Sequence, residues 1–426
     1  MQSAAQAADW AGVQGDLKKP LWPTVTLLAL TGLNLFNYLD RYVLSAVLTP
    51  LKAEWNLSDE QLGRLSTVFM LGYFVTSPIF GWLGDRLPRR WLIAAGVFVW
   101  SLGTTLSGVA GSFTMLVLFR ILVGVGEASY ATISPGWIAD LWPAPKRNNA
   151  LTIFYVAIPV GSALGYILGG VIAARWGWRP AFFWAGAPGL VLAVAMLALK
   201  EPSRGCSDAA PTEPARAAHQ GFAAYRALFG MREYVLVVAG YTAYTFAMGA
   251  FAFWGPTFLV RVHGMSLEHA GTFFGAALVG SGLVATLLGG FAATAWQAKN
   301  PAGYASLLAL STLLAAPVAL GAFMVGSTNL AMTLLVAAMF LLFLSTGPVN
   351  TLILETVPVA MRARAMAASI FVIHLFGDLW SPQIVGWVAD EHGGLRRGVL
   401  LLPAALLVGG AIWAVLARRQ ARMARG

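Results

Sequence analysis

Twelve long apolar segments follow one another along this chain and restrict its fold more than any other feature. The hydrocarbon core of a bilayer requires about 20 mainly apolar residues from each helix that crosses it. Lipid-exposed backbone must satisfy its own hydrogen bonds, and these runs are too long and too uniformly apolar for barrel strands. We therefore predict an all-α membrane protein with twelve transmembrane helices, near residues 22–50, 60–83, 91–110, 113–141, 148–174, 179–199, 233–260, 268–294, 302–325, 329–353, 363–389 and 398–417.

The composition and the charge distribution support a membrane location. Only 11% of the 426 residues are charged, whereas a soluble globular protein carries about 25% charged residues. The net charge of +10 would suit nucleic acid if it were clustered, but it is divided between loops. With both termini on one side, 19 of the 28 Lys and Arg residues lie on that side and 7 on the other. The positive-inside rule then predicts cytoplasmic termini in the cell (inner) membrane, and no nucleic-acid partner.

A polar interval and an internal repeat divide the chain into halves. Five residues recur 208 positions further on: Ser58, Glu60, Gly63, Gly72 and Gly81 correspond to Ser266, Glu268, Gly271, Gly280 and Gly289. Two parallel six-helix repeats are a transporter architecture, with the substrate at the midplane between them. We predict a cytoplasmic tail over 1–20, a six-helix bundle over 21–199, a Pro- and Ser-rich cytoplasmic linker over 200–232, a second bundle over 233–418, and a cytoplasmic tail over 419–426.

The loop between the second and third segments reads GWLGDRLPRR, from Gly81 to Arg90. It resembles the loop signature of the major facilitator superfamily, with Pro88 in place of the last glycine. One carboxylate and three guanidinium groups on a tight turn can latch two halves in one state and release them in another. We predict a cytoplasmic gate; the alternative is a simple positive-inside anchor. The gate residues are Gly81, Asp85, Arg86, Arg89 and Arg90, with Asp140.

Three further stretches carry a closer resemblance. NYLDRYVL (37–44), GVGEASYATISPGWIADL (124–141) and IFYVAIPVGSALGYILGG (153–170) are similar to the Spinster family of lipid transporters within that superfamily. The resemblance implies a major facilitator fold of two six-helix bundles that works by alternating access. It also implies amphipathic lipid substrates, such as sphingosine phosphate or lysophospholipids, and coupling to protons.

Four charged residues inside apolar segments form the principal candidate site: Asp40, Arg41, Arg120 and Glu127. Each charge at the bilayer centre costs at least about 2.5–3.5 kcal/mol, so these side chains are expected to face the protein interior and neutralise one another. The resemblance implies that the first and fourth helices both line the central cavity, where the two pairs could meet. The alternative is a structural ion network that sets helix register.

Roles follow from the chemistry of these groups. Burial makes a carboxylate harder to ionise, and a nearby guanidinium reverses the effect. Movement of an arginine away from a carboxylate, and back toward it, between two transporter states would therefore make that carboxylate bind and then release a proton. We predict Glu127 as the proton carrier, with Asp40 as second choice, and Arg41 or Arg120 as the seat of an anionic head group.

Weaker cavity candidates lie mostly in the second half. His374 and Asp378 are four residues apart on one helix face, where such a pair can titrate near neutral pH. The remaining candidates are polar or aromatic residues inside apolar segments, each of which could instead simply pack: Asn37, Tyr241, Tyr244 and Asn350.

The sequence as a whole predicts a proton-coupled secondary active transporter for an amphipathic, lipid-like anion. It predicts a monomer among membrane lipids, with no metal or cofactor. A carrier of small organic anions or drugs is the first alternative. An intramembrane lipid-modifying enzyme is remote, because neither H-E-x-x-H nor G-x-S-x-G occurs and Cys206 lies in the linker.

Overall fold

The computed structural model of the protein describes residues 21–203, 207, 222–358 and 361–424. All regular structure in these ranges is helical. The first half contains α1 (Leu21–Ala46), α2 (Leu48–Trp55), α3 (Asp59–Gly84), α4 (Arg89–Ser107), α5 (Phe113–Leu141), α6 (Ala144–Trp176) and α7 (Trp178–Met196).

The second half begins inside the predicted linker of residues 200–232. It contains α8 (Phe222–Gly230), α9 (Arg232–His263), α10 (Leu267–Gln297), α11 (Gly303–Met324), α12 (Thr328–Phe343), α13 (Thr346–Glu355), α14 (Arg362–Ile373), a π-helical turn (His374–Asp378), α15 (Ser381–His392), α16 (Leu395–Gly398) and α17 (Leu401–Met423). The predicted eleventh segment is therefore interrupted by the π-helical turn.

Within the described ranges, ten helical segments are long and apolar enough to cross a membrane. The helices α1, of 26 residues, and α4, of 19 residues, lie at the first and third predicted segments and complete the expected series. The predicted tail over 1–20 and most of the linker, including Cys206, lie outside the described residues.

The internal repeat corresponds to repeated local structure. The Ser58 hydroxyl accepts from Gln61 N at the start of α3, and the Ser266 hydroxyl accepts from His269 N at the start of α10. A Cβ at Gly63 would lie 2.4 Å from the Pro382 carbonyl oxygen, and one at Gly271 would lie 2.4 Å from the Tyr166 carbonyl oxygen. The repeated glycines thus allow equivalent helices to approach through their backbones.

Contacts group the residues into two compact units. The first unit contains Val68–Gly165 with the described parts of Met1–Val43 and Trp176–Thr212. The second contains Leu44–Thr67, Tyr166–Arg175 and the described part of Glu213–Gly426. The division into bundles over 21–199 and 233–418 stays a prediction.

Candidate substrate and proton-coupling site

The four charged residues of the principal candidate site lie together in the first unit. Asp40 and Arg41 are adjacent on α1, and Arg120 and Glu127 are seven residues apart on α5, hence on one face. Arg41 Nη2 lies 2.5 Å from Glu127 Oε2. The Glu127 side chain is 0% exposed and that of Arg41 is 24% exposed. We call these four residues the charged site.

Asp40 is bound from a third helix. Its Oδ2 accepts a hydrogen bond from the Thr104 hydroxyl on α4, and its Oδ1 has no hydrogen-bond partner. Both residues are buried. Thr104 was not among the predicted site residues, because a threonine in an apolar helix carries no signal of its own.

Arg120 differs from Arg41 in its surroundings. It is buried, and neither its Nε nor its Nη1 has a hydrogen-bond partner. Its guanidinium carbon lies 4.8 Å from the centre of the Phe69 ring. The Arg41 guanidinium lies 4.9 Å from the same ring and 5.0 Å from that of Tyr38. At such distances a cation is attracted to the face of an aromatic ring.

Six buried polar atoms in and beside the charged site have no hydrogen-bond partner: Asn37 Nδ2, Asp40 Oδ1, Arg41 Nε, Arg120 Nε, Arg120 Nη1 and Glu127 Oε1. Buried polar atoms are normally satisfied, and each that is not costs about 1–3 kcal/mol or more. So many in one place are typical of a site that binds water or a polar ligand. The described residues contain no group of three or more His, Cys, Asp or Glu suited to a metal ion.

The predicted cytoplasmic gate loop is bound to the rest of the first unit. Arg89 Nη1 lies 2.5 Å from Asp140 Oδ2. The Glu201 carboxylate accepts from Arg89 N at 3.0 Å and Arg90 N at 3.2 Å, so it caps the N-terminus of α4. Glu201 was not among the predicted gate residues, because it follows α7 and lies 112 residues from Arg89 in the sequence.

The remaining loop candidates have more local contacts. Asp85 N donates to the Gly81 carbonyl at 3.3 Å, which tightens the turn. The Arg86 guanidinium lies 4.3 Å from the Trp82 ring and donates to the Trp82 carbonyl at 3.1 Å.

The weaker candidates of the second half fall into two groups. His374 Nδ1 lies 2.9 Å from Asp378 Oδ1 in the π-helical turn, with side chains 36% and 22% exposed. By contrast, Tyr244 donates to the Leu342 carbonyl at 3.0 Å, and Asn350 donates to the Thr346 carbonyl at 3.0 Å within its own helix. Tyr241 packs with its ring centre 6.0 Å from that of Tyr244. The His374–Asp378 pair therefore remains partly accessible, whereas the Tyr244 hydroxyl and the Asn350 amide nitrogen are hydrogen-bonded to backbone carbonyls.

A second charged cluster lies in the second unit and was not predicted. We call it the Asp59 cluster; it comprises Lys52, Asp59, Glu60, Arg261 and Asp390. Asp59 Oδ1 is bound by Lys52 Nζ and, at 2.5 Å, by Arg261 Nη1. The Asp390 carboxylate accepts from Asp59 N at 2.9 Å and Glu60 N at 2.8 Å.

One signal in the sequence could have pointed to Asp390. It lies in the last turn of α15, where an acidic residue is unfavourable because the helix dipole is negative there. The unfavourable position is explained by the N-terminus of α3, which Asp390 caps from 331 residues away.

Comparisons with known proteins agree with this architecture. The profile of the Major Facilitator Superfamily matches residues 30–382. "Protein spinster" of Drosophila melanogaster is 35% identical over an alignment of 381 residues, and the match covers 87% of this chain. The match covers 62% of the fly protein, so the chain spans less than two thirds of that relative's length.

Two other relatives are covered more fully. "Protein spinster homolog 1" of Xenopus tropicalis is 34% identical, with 84% of this chain and 71% of the relative covered. "Probable sphingolipid transporter spinster homolog 1" of Arabidopsis thaliana is 30% identical, with 92% and 87% covered.

A solved structure extends the similarity to three dimensions. It is that of a bacterial homologue of the human lysosomal transporter Spinster, described as inward-facing and unoccupied. The TM-score is 0.85 at 25% identity, and the match covers 94% of this chain and 98% of the other.

Proposed function

The chain belongs to the major facilitator superfamily and, within it, to the Spinster family, and on this premise we propose that it moves an amphipathic, lipid-like anion by proton-coupled alternating access. Family membership confirms the predicted fold class, the integral membrane location and the prediction of a transporter and not an enzyme. Sphingolipid- or lysophospholipid-type substrates, proton coupling, cytoplasmic termini and the inner membrane belong to the proposal.

The observation that carries the proposal is the buried, unpaired guanidinium of Arg120. Its Nε and Nη1 have no partner, although the side chain is only 1% exposed. Guanidinium N–H groups match the oxygens of a phosphate or carboxylate in pairs. Arg41 is already bound to Glu127 at 2.5 Å, so Arg120 is the better seat for an anionic head group. The name of the Arabidopsis relative supports a sphingolipid-like substrate.

The Arg41–Glu127 pair suits a proton carrier. Arg41 Nη2 lies 2.5 Å from Glu127 Oε2, so a cation directly contacts the proposed proton carrier. Movement of Arg41 away from Glu127, in another transporter state, would favour proton uptake. The alternative, a purely structural ion network, is less favoured. In such a network each buried polar atom would have a hydrogen-bond partner, whereas Asp40, Arg120 and Glu127 each retain a buried atom without one.

Alternating access requires a contact that forms in one state and breaks in another. The Asp59 cluster is suited to this role, because it joins residues 52–60 of the first half to Arg261 and Asp390 of the second within one compact unit. We propose it as the latch on the non-cytoplasmic side. The loop of Asp85, Arg86, Arg89 and Arg90, with Asp140, is proposed as the cytoplasmic gate.

The test is uptake of sphingosine phosphate and a lysophospholipid into proteoliposomes, with and without an imposed pH gradient. Arg120→Gln should reduce uptake of both lipids about 100-fold, because it removes the charge that the head group would neutralise. The matched control is Arg175→Gln, since Arg175 belongs to an exposed pair with Glu268 at 3.3 Å. Uptake of small organic anions without lipid uptake would favour the alternative carrier and contradict the proposal.

A further inference from the structure

A single aromatic ring contacts both arginines of the charged site. Phe69 on α3 is buried, and the guanidinium carbons of Arg41 and Arg120 lie 4.9 Å and 4.8 Å from its ring centre. Arg41 has further aromatic neighbours in Tyr38 and Tyr73, at 5.0 Å and 5.6 Å. Among the residues the structure describes, Phe69 is the aromatic ring that Arg120 contacts in this way.

Close helix packing holds Phe69 in place. A Cβ at Gly124 would lie 2.1 Å from the Phe69 carbonyl oxygen, and one at Gly72 would lie 2.7 Å from the Ile121 carbonyl oxygen. The helices α3 and α5 therefore touch through their backbones at the turn that carries Arg120. Because neither backbone can move closer or turn freely, the position of the ring relative to Arg120 is set by the fold.

The kind of stabilisation that a ring provides matters for binding. An aromatic face attracts a cation electrostatically but accepts few of its hydrogen bonds. A carboxylate would neutralise the guanidinium and occupy its N–H groups as well. Arg120 is stabilised by the ring, and its Nε and Nη1 remain without a partner. A ring is therefore a neighbour that attracts a buried guanidinium and still leaves its N–H groups able to bind an anion.

We infer that Phe69 is a positioning residue that keeps the Arg120 guanidinium apart from the carboxylates of Asp40 and Glu127 and presents its N–H groups to the anionic head group. The inference rests on the proposed function for its link to transport. Without the aromatic face, Arg120 turns toward one of these carboxylates and is neutralised there. Phe69 thus sets the affinity for the head group. We expect Arg41 to keep its place when the Phe69 ring is altered, because it is also held by Glu127 at 2.5 Å and by the rings of Tyr38 and Tyr73.

The test that isolates the ring's electrostatics is a series of mono-, di- and trifluorinated phenylalanines at position 69. Fluorine withdraws charge from the ring face while nearly conserving its shape. The KM for sphingosine phosphate should rise stepwise to about tenfold with the trifluorinated ring, with the maximal rate and the thermal unfolding temperature unchanged. The same series at Phe154 is the control: this buried ring packs 6.2 Å from Tyr130 and has no guanidinium over it among the described residues.

A second measurement does not depend on transport. In protein with 15N-labelled arginine, the Nε–H signal of Arg120 should be displaced by the ring current of Phe69, and Phe69→Leu should move it toward the position of an ion-paired arginine. An unchanged signal in Phe69→Leu, or a flat KM series in a protein that transports lipid, overturns the inference. Absence of any lipid uptake by the wild type, with the expected change in the arginine signal, overturns the proposed substrate and leaves the role of Phe69 in positioning Arg120 intact.

Discussion

The charged site and the Asp59 cluster are both groups of interacting ions, buried or partly buried except for the exposed Asp390, but they differ in how completely their hydrogen-bonding atoms are satisfied. In the charged site and the adjoining Asn37, six buried polar atoms lack a hydrogen-bond partner. In the Asp59 cluster the corresponding number is one, Arg261 Nη2. Asp59 is bound by two cations, and Asp390 by two backbone N–H groups. A satisfied cluster holds helices together, whereas an unsatisfied one retains binding capacity.

The largest effect is expected from Glu127→Gln. Glutamine can still accept from Arg41 but can neither lose nor carry the proton, so uptake driven by a pH gradient should fall about 100-fold. Exchange of labelled for unlabelled lipid without a gradient should remain. Glu268→Gln, which alters an exposed carboxylate, is the control. If gradient-driven uptake by the Glu127 variant equals that of the wild type, Glu127 is not the carrier.

The next effect tests the latch. Asp59→Asn removes the carboxylate that Lys52 and Arg261 share. Breaking a buried ion pair costs about 3–5 kcal/mol, and less here because Lys52 is 33% exposed. The balance between transporter states should shift about tenfold or more toward the state that lacks this contact.

The shift can be measured by labelling single cysteines placed near either end of α3, in a background of Cys206→Ser. Arg64→Gln is the control, because Arg64 pairs with Glu60 within one helix, at 2.7 Å and 43% exposure. Equal labelling of the Asp59 variant and the wild type would mean that the cluster is structural and does not act as a latch.

A smaller effect is expected from Thr104→Val in the charged site. Valine keeps the shape of threonine but removes the donor to Asp40 Oδ2, so neither carboxylate oxygen then has a hydrogen-bond partner. Uptake should fall about fivefold, which corresponds to the loss of one hydrogen bond worth about 1 kcal/mol. The neighbouring Thr105→Val is the control, because Thr105 donates to the Ser101 carbonyl at 2.7 Å. Equal losses of uptake in the two variants would mean that the hydrogen bond to Asp40 matters no more for transport than a hydrogen bond to a backbone carbonyl.

The smallest effect concerns the cap that Asp390 provides. Asp390→Ala removes the side-chain acceptor of the first two N–H groups of α3, and the loss of such a cap costs about 1 kcal/mol. We expect about a threefold to fivefold shift in the cysteine-labelling assay, in the same direction as for Asp59→Asn. Asp390→Asn should recover part of it, since its amide oxygen still accepts one bond. A shift in the opposite direction would exclude Asp390 from the latch.

The sequence alone determined the helices and the presence of a polar site. Length and apolarity are local properties, so the twelve segments could be located without knowledge of their neighbours. Charged residues inside apolar segments are equally easy to recognise in the sequence. Because ions are costly in lipid, the four of the charged site could be assigned to the protein interior: Asp40, Arg41, Arg120 and Glu127.

Only the tertiary structure decided which groups meet. It paired Arg41 with Glu127, left Arg120 against Phe69, and brought Thr104 to Asp40 and Asp390 to the start of α3. Uncharged residues such as Thr104 and Phe69 do not stand out in an apolar helix. Which of the two arginines pairs with Glu127 depends on the packing of helices that are distant in sequence. For that reason the sequence showed that a polar site exists, and the packing of α1, α3, α4 and α5 determined which of its atoms remain available to bind.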